Sequence, residues 1–272
     1  MNLTSVPDGF AIRTHGLTRR FGPLTAVDHV ELQVPRGAIF GLLGANGAGK
    51  STLMKMLTTL LRPTSGSAEV DGCDIVQAPA QVRRRIGYVP QLLSADGTLT
   101  GYENLRLSAQ LYALPRAQRG ARIAEALAFM GLTDAAHKLV RTYSGGMVRR
   151  LELAQAMLHR PRVLFLDEPT IGLDPMARHS VWDRLHDLRR DYGMTVLITT
   201  HDMEEAETLC EALAILHAGR IAVVGTPGDL QRDIGPAATM DDVFARHAGG
   251  GIADGGDFAG AVRTRKTANR LG

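Results

Sequence analysis

The chain has 272 residues, of which 44% are hydrophobic and 22% are charged, and this composition is typical of a globular protein rather than a disordered or fibrous one. Its formal net charge is only +3, so we expect no nucleic-acid partner. No apolar run approaches the roughly 18 residues of a membrane-spanning helix, and the amino terminus lacks the pattern of a secretion signal.

Short apolar runs alternate with helical patterns along the chain, which predicts a parallel sheet with helices on its faces. Residues 30–34 alternate between apolar and polar side chains, as in a half-buried strand. Continuous apolar runs predict buried strands at 38–44, 163–167 and 195–200. Residues 212–216 and 220–224, with a turn at Gly219, predict a closing pair of strands.

Residues from about 92 to 160 lack the strand pattern, which predicts a helical subdomain inserted between two strands. Thr100 and Glu103 form a capping box at the start of the first predicted helix. The predicted helices cover residues 100–112, 115–130 and 144–160.

The two ends of the chain differ from this central part. We expect residues 1–35 and 212–230 to form an additional antiparallel layer, and residues 231–246 to form a short terminal helix. One domain would then span residues 1–246, followed by a flexible, Gly-rich and basic tail over residues 247–272. The cysteines, Cys73 and Cys210, stand alone and indicate a reducing compartment.

The segment 44–52 fits the phosphate-loop pattern G-x-x-x-x-G-K-[ST] and lies between an apolar strand and a helical pattern. Such a loop turns its backbone N–H groups toward phosphates, and the following helix adds its positive end. We expect Lys50 to contact the β- and γ-phosphates of ATP, Ser51 to bind Mg²⁺, and Thr52 to contact the α-phosphate. The remaining expected nucleotide contacts of this loop are Gly44, Asn46, Gly47 and Gly49.

Asp167 and Glu168 follow the apolar strand 163–167 directly. The carboxyl ends of parallel strands meet at the ligand-binding edge of a sheet. We expect Asp167 to hold Mg²⁺ and Glu168 to act on the attacking water beside the γ-phosphate. Taken alone, the same pattern also fits a strand that ends in two solvated acids.

The motif YSGGM (143–147) distinguishes this chain from other nucleotide hydrolases. It resembles the LSGGQ signature of the ATP-binding cassette (ABC) family, and residues 147–161 continue like the signature helix of that family. Further matches follow in the family's order: Phe21 to the aromatic that stacks on adenine, Gln91 to the Q-loop, Asp174 to the D-loop and His201 to the switch histidine. The resemblance covers about residues 12–246, and on these motifs the chain is identified as a member of the ABC family.

This resemblance implies an α/β fold of the P-loop NTPase class, with a mixed sheet core, an antiparallel β layer and the inserted helical subdomain. It also implies that two copies of the chain pair head to tail. Each ATP would lie between Lys50 of one chain and Ser144, Gly145 and Gly146 of the other. Catalytic roles are implied for Glu168, His201 and Gln91, with Gln91 also close to Mg²⁺.

The chain departs from the family pattern at Ala45, where the phosphate loop usually has proline, and at Tyr143, where the signature has leucine. The motifs at 99–105 and 241–244, together with TYSGGM, are similar to the daunorubicin/doxorubicin-resistance branch of exporter ATPases. That similarity implies an ATPase at the cytoplasmic face of the cell membrane that acts with a separate integral-membrane permease to export a drug-like compound.

Three alternatives remain at the level of sequence. Lipid and polysaccharide exporters carry similar cassettes. A mechanical ATPase acting on nucleic acid or ribosomes would carry a long coiled-coil insertion or a second cassette, and the sequence has neither. A small-molecule kinase of the P-loop class would leave the signature helix and D-loop without a role.

Overall fold

The computed structural model describes residues 9–248 of the chain. In chain order the strands are β1 (Phe10–Phe21), β2 (Leu24–Pro35), β3 (Ile39–Leu43), β4 (Ser65–Val70), β5 (Cys73–Asp74), β6 (Ile86–Val89), β7 (Val163–Asp167), β8 (Thr195–Thr200), β9 (Ala212–His217) and β10 (Arg220–Gly225). The helices are α1 (Lys50–Leu57), α2 (Pro79–Arg85), α3 (Gly101–Leu111), α4 (Arg116–Phe129), α5 (Gly145–Met157), α6 (Pro175–Tyr192), α7 (Met203–Leu209), α8 (Pro227–Ile234) and α9 (Met240–Ala248).

The larger sheet has six strands in the order β10-β9-β3-β8-β7-β6. All neighbours in it are parallel except the antiparallel pair β9–β10. Every residue of β3, β7 and β8 is buried, because helices or the second sheet cover both faces of a parallel sheet. The carboxyl ends of β3, β7 and β8 therefore lie side by side at one edge.

The smaller sheet is antiparallel, with the order β2-β1-β4-β5. Strands β1 and β2 confirm the antiparallel layer predicted for residues 1–35, of which residues 1–8 lie outside the described residues. Residues 212–230 do not belong to this sheet, so their assignment to the layer is wrong. The apolar strand β9 pairs in parallel with β3, because its buried side chains fit the interior of the larger sheet. The place beside β1 is taken instead by β4, whose sequence SGSAEV gives little strand signal.

The helical subdomain lies between β6 and β7, as predicted, and α3, α4 and α5 confirm its helices. The capping box is present: the Thr100 hydroxyl accepts from Glu103 N at 3.2 Å, and Glu103 Oε2 accepts from Thr100 N at 2.8 Å. Tyr143 Oη donates to the carbonyl of Ala135 at 2.7 Å. A Cβ on Gly101 would lie 2.3 Å from that same hydroxyl, so this tyrosine occupies the space beside the start of α3.

The carboxy-terminal part of the described chain contains two helices, α8 and α9, where the sequence predicted one. Gly235 ends α8, and α9 packs on β9. Val243 of α9 and Ile215 of β9 belong to the same buried apolar cluster. Of the tail predicted at 247–272, residues 249–272 lie outside the described residues. No helix within residues 9–248 is long and apolar enough to cross a membrane.

Candidate nucleotide-binding site

The predicted phosphate loop connects β3 to α1, with Gly44, Asn46 and Gly47 in the loop and Thr52 in the first turn of α1. Gly49 caps the helix with a φ of 107°, and a Cβ there would lie 2.3 Å from the carbonyl oxygen of Ala26. Only glycine fits such a position. The loop is therefore held against β2 by contacts that require its last glycine.

Lys50 turns back over its own loop. Its Nζ donates to the carbonyls of Gly44 at 2.7 Å and Ala45 at 3.2 Å, and it lies 3.5 Å from Glu168 Oε1. Burial lowers the pKa of the ammonium, and the Glu168 carboxylate opposes that shift. The side chain thus carries a cation into a site where only 5% of its surface remains exposed.

Glu168 is the point at which the predicted catalytic residues meet. Gln91 Nε2 donates to Glu168 Oε2 at 3.1 Å, and His201 Nδ1 lies 3.3 Å from Glu168 Oε1. These groups come from the ends of β6, β7 and β8, so the sheet edge brings them together. Glu168 also has a φ of 49°, a left-handed backbone conformation that is uncommon for residues other than glycine.

Asp167 lies beside the start of α1. Ser51 Oγ donates to Asp167 Oδ1 at 3.3 Å, and Thr199 Oγ1 donates to the same oxygen at 2.5 Å. Burial and the nearby Asp167 carboxylate raise the pKa of Tyr88 to about 12. The sequence analysis missed Thr199, although a hydroxyl at the carboxyl end of a neighbouring buried strand was a usable signal.

The oxygens of Ser51 and Asp167 suit a small, hard cation. Within residues 9–248, no group of three or more His, Cys, Asp or Glu side chains can hold a metal ion. Mg²⁺ does not require such a group, because it takes one or two protein oxygens together with water and substrate phosphates. The residues present therefore fit Mg²⁺ bound with a nucleotide.

The predicted signature residues lie at the start of α5. Ser144 caps this helix by accepting from Met147 N at 3.3 Å, and Gly145 and Gly146 form its first turn. A Cβ on Gly146 would lie 2.8 Å from Ala177 Cβ in α6. In the described part of the chain, no hydrogen bond or ion pair joins Ser144, Gly145 or Gly146 to Lys50, Asp167 or Glu168.

Within residues 9–248, no hydrogen bond or ion pair joins Asp174 or Phe21 to Glu168. Asp174 caps α6, accepting from Ala177 N at 2.9 Å; that role alone is sufficient to explain an aspartate before a proline. Phe21 ends β1 with 44% of its surface exposed. The Arg19 guanidinium lies 4.5 Å from the centre of the Phe21 ring, so an exposed aromatic surface with a cation beside it flanks this end of the smaller sheet.

Comparison with known proteins finds relatives that match most of this chain. Residues 27–171 match the family described as ABC transporter. The chain is 46% identical to the daunorubicin/doxorubicin resistance ATP-binding protein DrrA of Streptomyces peucetius over 83% of this chain and 68% of that protein. It is 43% identical to the Nod factor export ATP-binding protein I of Cupriavidus metallidurans, over 80% of this chain and 72% of that protein.

A solved structure agrees with these sequence matches. The structure of cbiO1 from Clostridium perfringens, described as part of the ABC transporter complex cbiONQ, has a TM-score of 0.75 and 27% identity, covering 88% of this chain and 94% of that one. The sheet edge described above and the family match over more than half of the chain lead to the same conclusion. The chain belongs to the ABC transporter family, resembles its daunorubicin/doxorubicin-resistance members, and is an ATP-binding subunit with the ATPase activity of that family.

Proposed function

We propose that this subunit powers an exporter by closing, head to tail, on ATP with a second copy of itself. The ATPase domain of this proposal spans residues 1–246 and is extended by His247 and Ala248, which belong to α9. Closure drives a separate integral-membrane permease from the cytoplasmic face of the membrane. The names of its relatives refer to drug resistance and to export, which supports a drug-like or other hydrophobic compound as the transported substrate.

The observation that carries the proposal is the convergence of Lys50, Gln91 and His201 on Glu168. We assign Glu168 as the group that accepts a proton from water as that water attacks the γ-phosphorus. The bond to the β-phosphate oxygen then breaks, and ADP and phosphate are formed. Lys50 stabilises the phosphate charge, while His201 and Gln91 hold the carboxylate and the water in position.

Mg²⁺ belongs to the same proposal. Ser51, Asp167 and Gln91 would hold it, and it would neutralise charge on the β- and γ-phosphate oxygens. The hydrogen bond from Thr199 to Asp167 keeps one carboxylate oxygen in place and leaves the other free to accept from water. The protein side chains would thus orient the cation and supply the negative charge that balances it.

The second half of each site comes from the partner chain in this proposal. The N–H groups at Ser144, Gly145 and Gly146 begin a helix of the partner and suit an anion such as the γ-phosphate. Asp174 of the partner lies beside them, because α6 packs on α5 through Gly146 and Ala177. Phe21 stacks on adenine, and the N–H groups of residues 44–52 surround the phosphates.

The test is the mass in solution of the Glu168→Gln variant with and without MgATP. This variant keeps a neutral hydrogen-bonding side chain but cannot accept the proton, so we expect ATP to bind, hydrolysis to stop, and a dimer to accumulate. Adding Ser144→Arg to it provides the control and should return the chain to a monomer. A Glu168→Gln chain that binds MgATP and remains a monomer would contradict the head-to-tail arrangement.

A further inference from the structure

Helix α5 contains a buried ion pair that the proposed reaction does not use. Arg149 and Glu152 lie one helical turn apart, with Arg149 Nη1 at 2.9 Å from Glu152 Oε2 and side-chain exposures of 3% and 2%. Moving two charges out of water is costly, and an apolar pair of the same size often stabilises a fold equally well. The other contacts of these two side chains are therefore informative.

Both side chains bind the backbone of residues 90–95, the loop that carries Gln91. Arg149 donates through Nη1 to the Pro90 carbonyl at 2.9 Å and through Nη2 to the Gln91 carbonyl at 3.0 Å. Glu152 Oε1 accepts from Ser94 Oγ at 3.1 Å, from Ala95 N at 3.4 Å, and also from Ser94 N. The loop has no helix or strand of its own, and Gln91 to Ser94 are exposed. The ion pair thus attaches both ends of an exposed loop to α5.

The side chain of Gln91 continues this connection to the proposed catalytic group. Arg149 holds the Gln91 carbonyl, and Gln91 Nε2 donates to Glu168 Oε2 at 3.1 Å. The same helix begins at the Ser144–Gly146 turn. Since α5 is one continuous helix, the hydrogen bond from Arg149 connects the turn at its start to the backbone of Gln91.

We propose that Arg149 and Glu152 are positioning residues for ATP hydrolysis. Their ion pair sets Gln91 against Glu168, and it transmits displacement of the signature turn to Gln91. This inference rests on the proposed function, since it gives Gln91 and Glu168 the roles assigned above. Neither Arg149 nor Glu152 contacts the proposed reacting atoms, so their effect passes through Gln91.

The experiment is a double-mutant cycle between Glu152→Gln and Gln91→Ala, measured as steady-state ATPase activity. Glu152→Gln should lower kcat by about tenfold, as expected when a group that orients a ligand-holding residue is changed, with the KM for ATP unchanged because the phosphate loop is intact. In the Gln91→Ala background the same change should alter kcat by no more than about twofold. A merely structural role does not produce this loss of effect.

Two further variants guard against a folding defect. Ser94→Pro removes the N–H and hydroxyl donors to Glu152 from the loop side and leaves α5 unchanged. Like Glu152→Gln, it should lower kcat when Gln91 is present and have little effect on kcat in the Gln91→Ala background. Arg150→Met is the matched control on α5, because Arg150 Nη1 binds the Met130 carbonyl at 3.0 Å within the helical subdomain. Any loss of kcat that Arg150→Met causes should be the same in the wild-type chain and in the Gln91→Ala chain.

The outcomes separate the inference from the proposed function. Equal losses of kcat from Glu152→Gln and Ser94→Pro with and without Gln91 would overturn the inference and leave the proposed function standing. A Gln91→Ala chain with the kcat of the wild type would overturn the role of Gln91 in the proposed function, and this inference with it.

Discussion

Glu168 combines an uncommon backbone conformation with hydrogen bonds that hold it in place. Its N–H donates to the carbonyl and to the hydroxyl of Thr199, at 3.1 and 3.0 Å, while its φ is 49°. Backbone strain of this kind persists only where the surrounding structure fixes it, and it concentrates at functional sites. The hydroxyl of Thr199 thus serves two acids, because it also donates to Asp167.

Thr199→Val should therefore weaken both stability and catalysis. The substitution keeps the shape but removes the donor to Asp167 and one acceptor of the Glu168 N–H. We expect the free energy of unfolding to fall by about 1–3 kcal/mol. We also expect kcat to fall by a larger factor than that by which the KM for ATP rises. Urea unfolding and steady-state ATPase measurements on the same preparation would test this.

The matched control is Thr195→Val at the opposite end of β8. Thr195 is equally buried, and its hydroxyl accepts from Gly37 N at 2.9 Å. It should lose comparable stability and keep the kcat of the wild type, because it lies far along the strand from Asp167. Equal kcat values for Thr195→Val and Thr199→Val would rule out a catalytic contribution from the Thr199 hydroxyl.

At the scale of elements, the contact between α5 and α6 depends on Gly146. A methyl group there would meet Ala177 Cβ at 2.8 Å, so we expect Gly146→Ala to lower the free energy of unfolding by about 1–3 kcal/mol through overpacking. Adding Ala177→Gly should recover part of this loss. Thermal and urea unfolding of the three chains would measure it.

Gly120 in α4 provides the comparison, since a Cβ there would meet no atom within 4 Å. Gly120→Ala should raise stability by up to about 1 kcal/mol, the usual gain in helix propensity. A Gly146→Ala chain as stable as Gly120→Ala would show that the helices separate without cost.

The elements that could be predicted from the sequence are those whose signal is local. The buried strands at 38–44, 163–167 and 195–200 are continuous apolar runs, and α3 carries its own capping box. The strand β4 escaped prediction because only Ala68 and Val70 of it are buried. Residues 212–217 belong to the larger sheet because they pair in parallel with β3. That pairing is a long-range contact, so the local sequence could not show which of the two sheets they join.

The residues of the candidate site divide in the same way, into those with a local sequence signal and those defined by long-range contacts. Lys50, Asp167 and Glu168 lie in short motifs whose order along the chain is sufficient to find them. The partners Thr199 and Glu152 were not found, because each is defined by a hydrogen bond between residues far apart in sequence. A carboxylate in the middle of a helical pattern gives no sign that it is buried.

At the scale of the whole molecule, the proposed function divides each ATP site between Lys50 of one chain and Ser144 of another. Mixing Lys50→Ala with Ser144→Arg tests whether they work in pairs. Each variant alone should be inactive, but in a head-to-tail heterodimer one site combines an intact Lys50 with an intact Ser144. With random pairing we expect about a quarter of the wild-type ATPase activity, since half of the dimers then have one of two sites complete.

Activity in the mixture no higher than in the separate variants would indicate that each chain completes its own site. Each variant measured alone, at the total protein concentration of the mixture, provides the baseline for this comparison. The test uses activity alone, so it is independent of the mass measurement on Glu168→Gln.

The contact between Tyr143 and Gly101 limits how this chain can diverge. The phenol ring fills the space that a side chain at 101 would need, and its hydroxyl is tied to the Ala135 carbonyl. An alanine at 101 would therefore displace the Tyr143 ring and its hydrogen bond to Ala135, unless a smaller residue at 143 accompanied it. A chimera that takes its signature motif from one member of the family and the start of α3 from another should therefore lose stability when it combines a tyrosine at 143 with a side chain at 101.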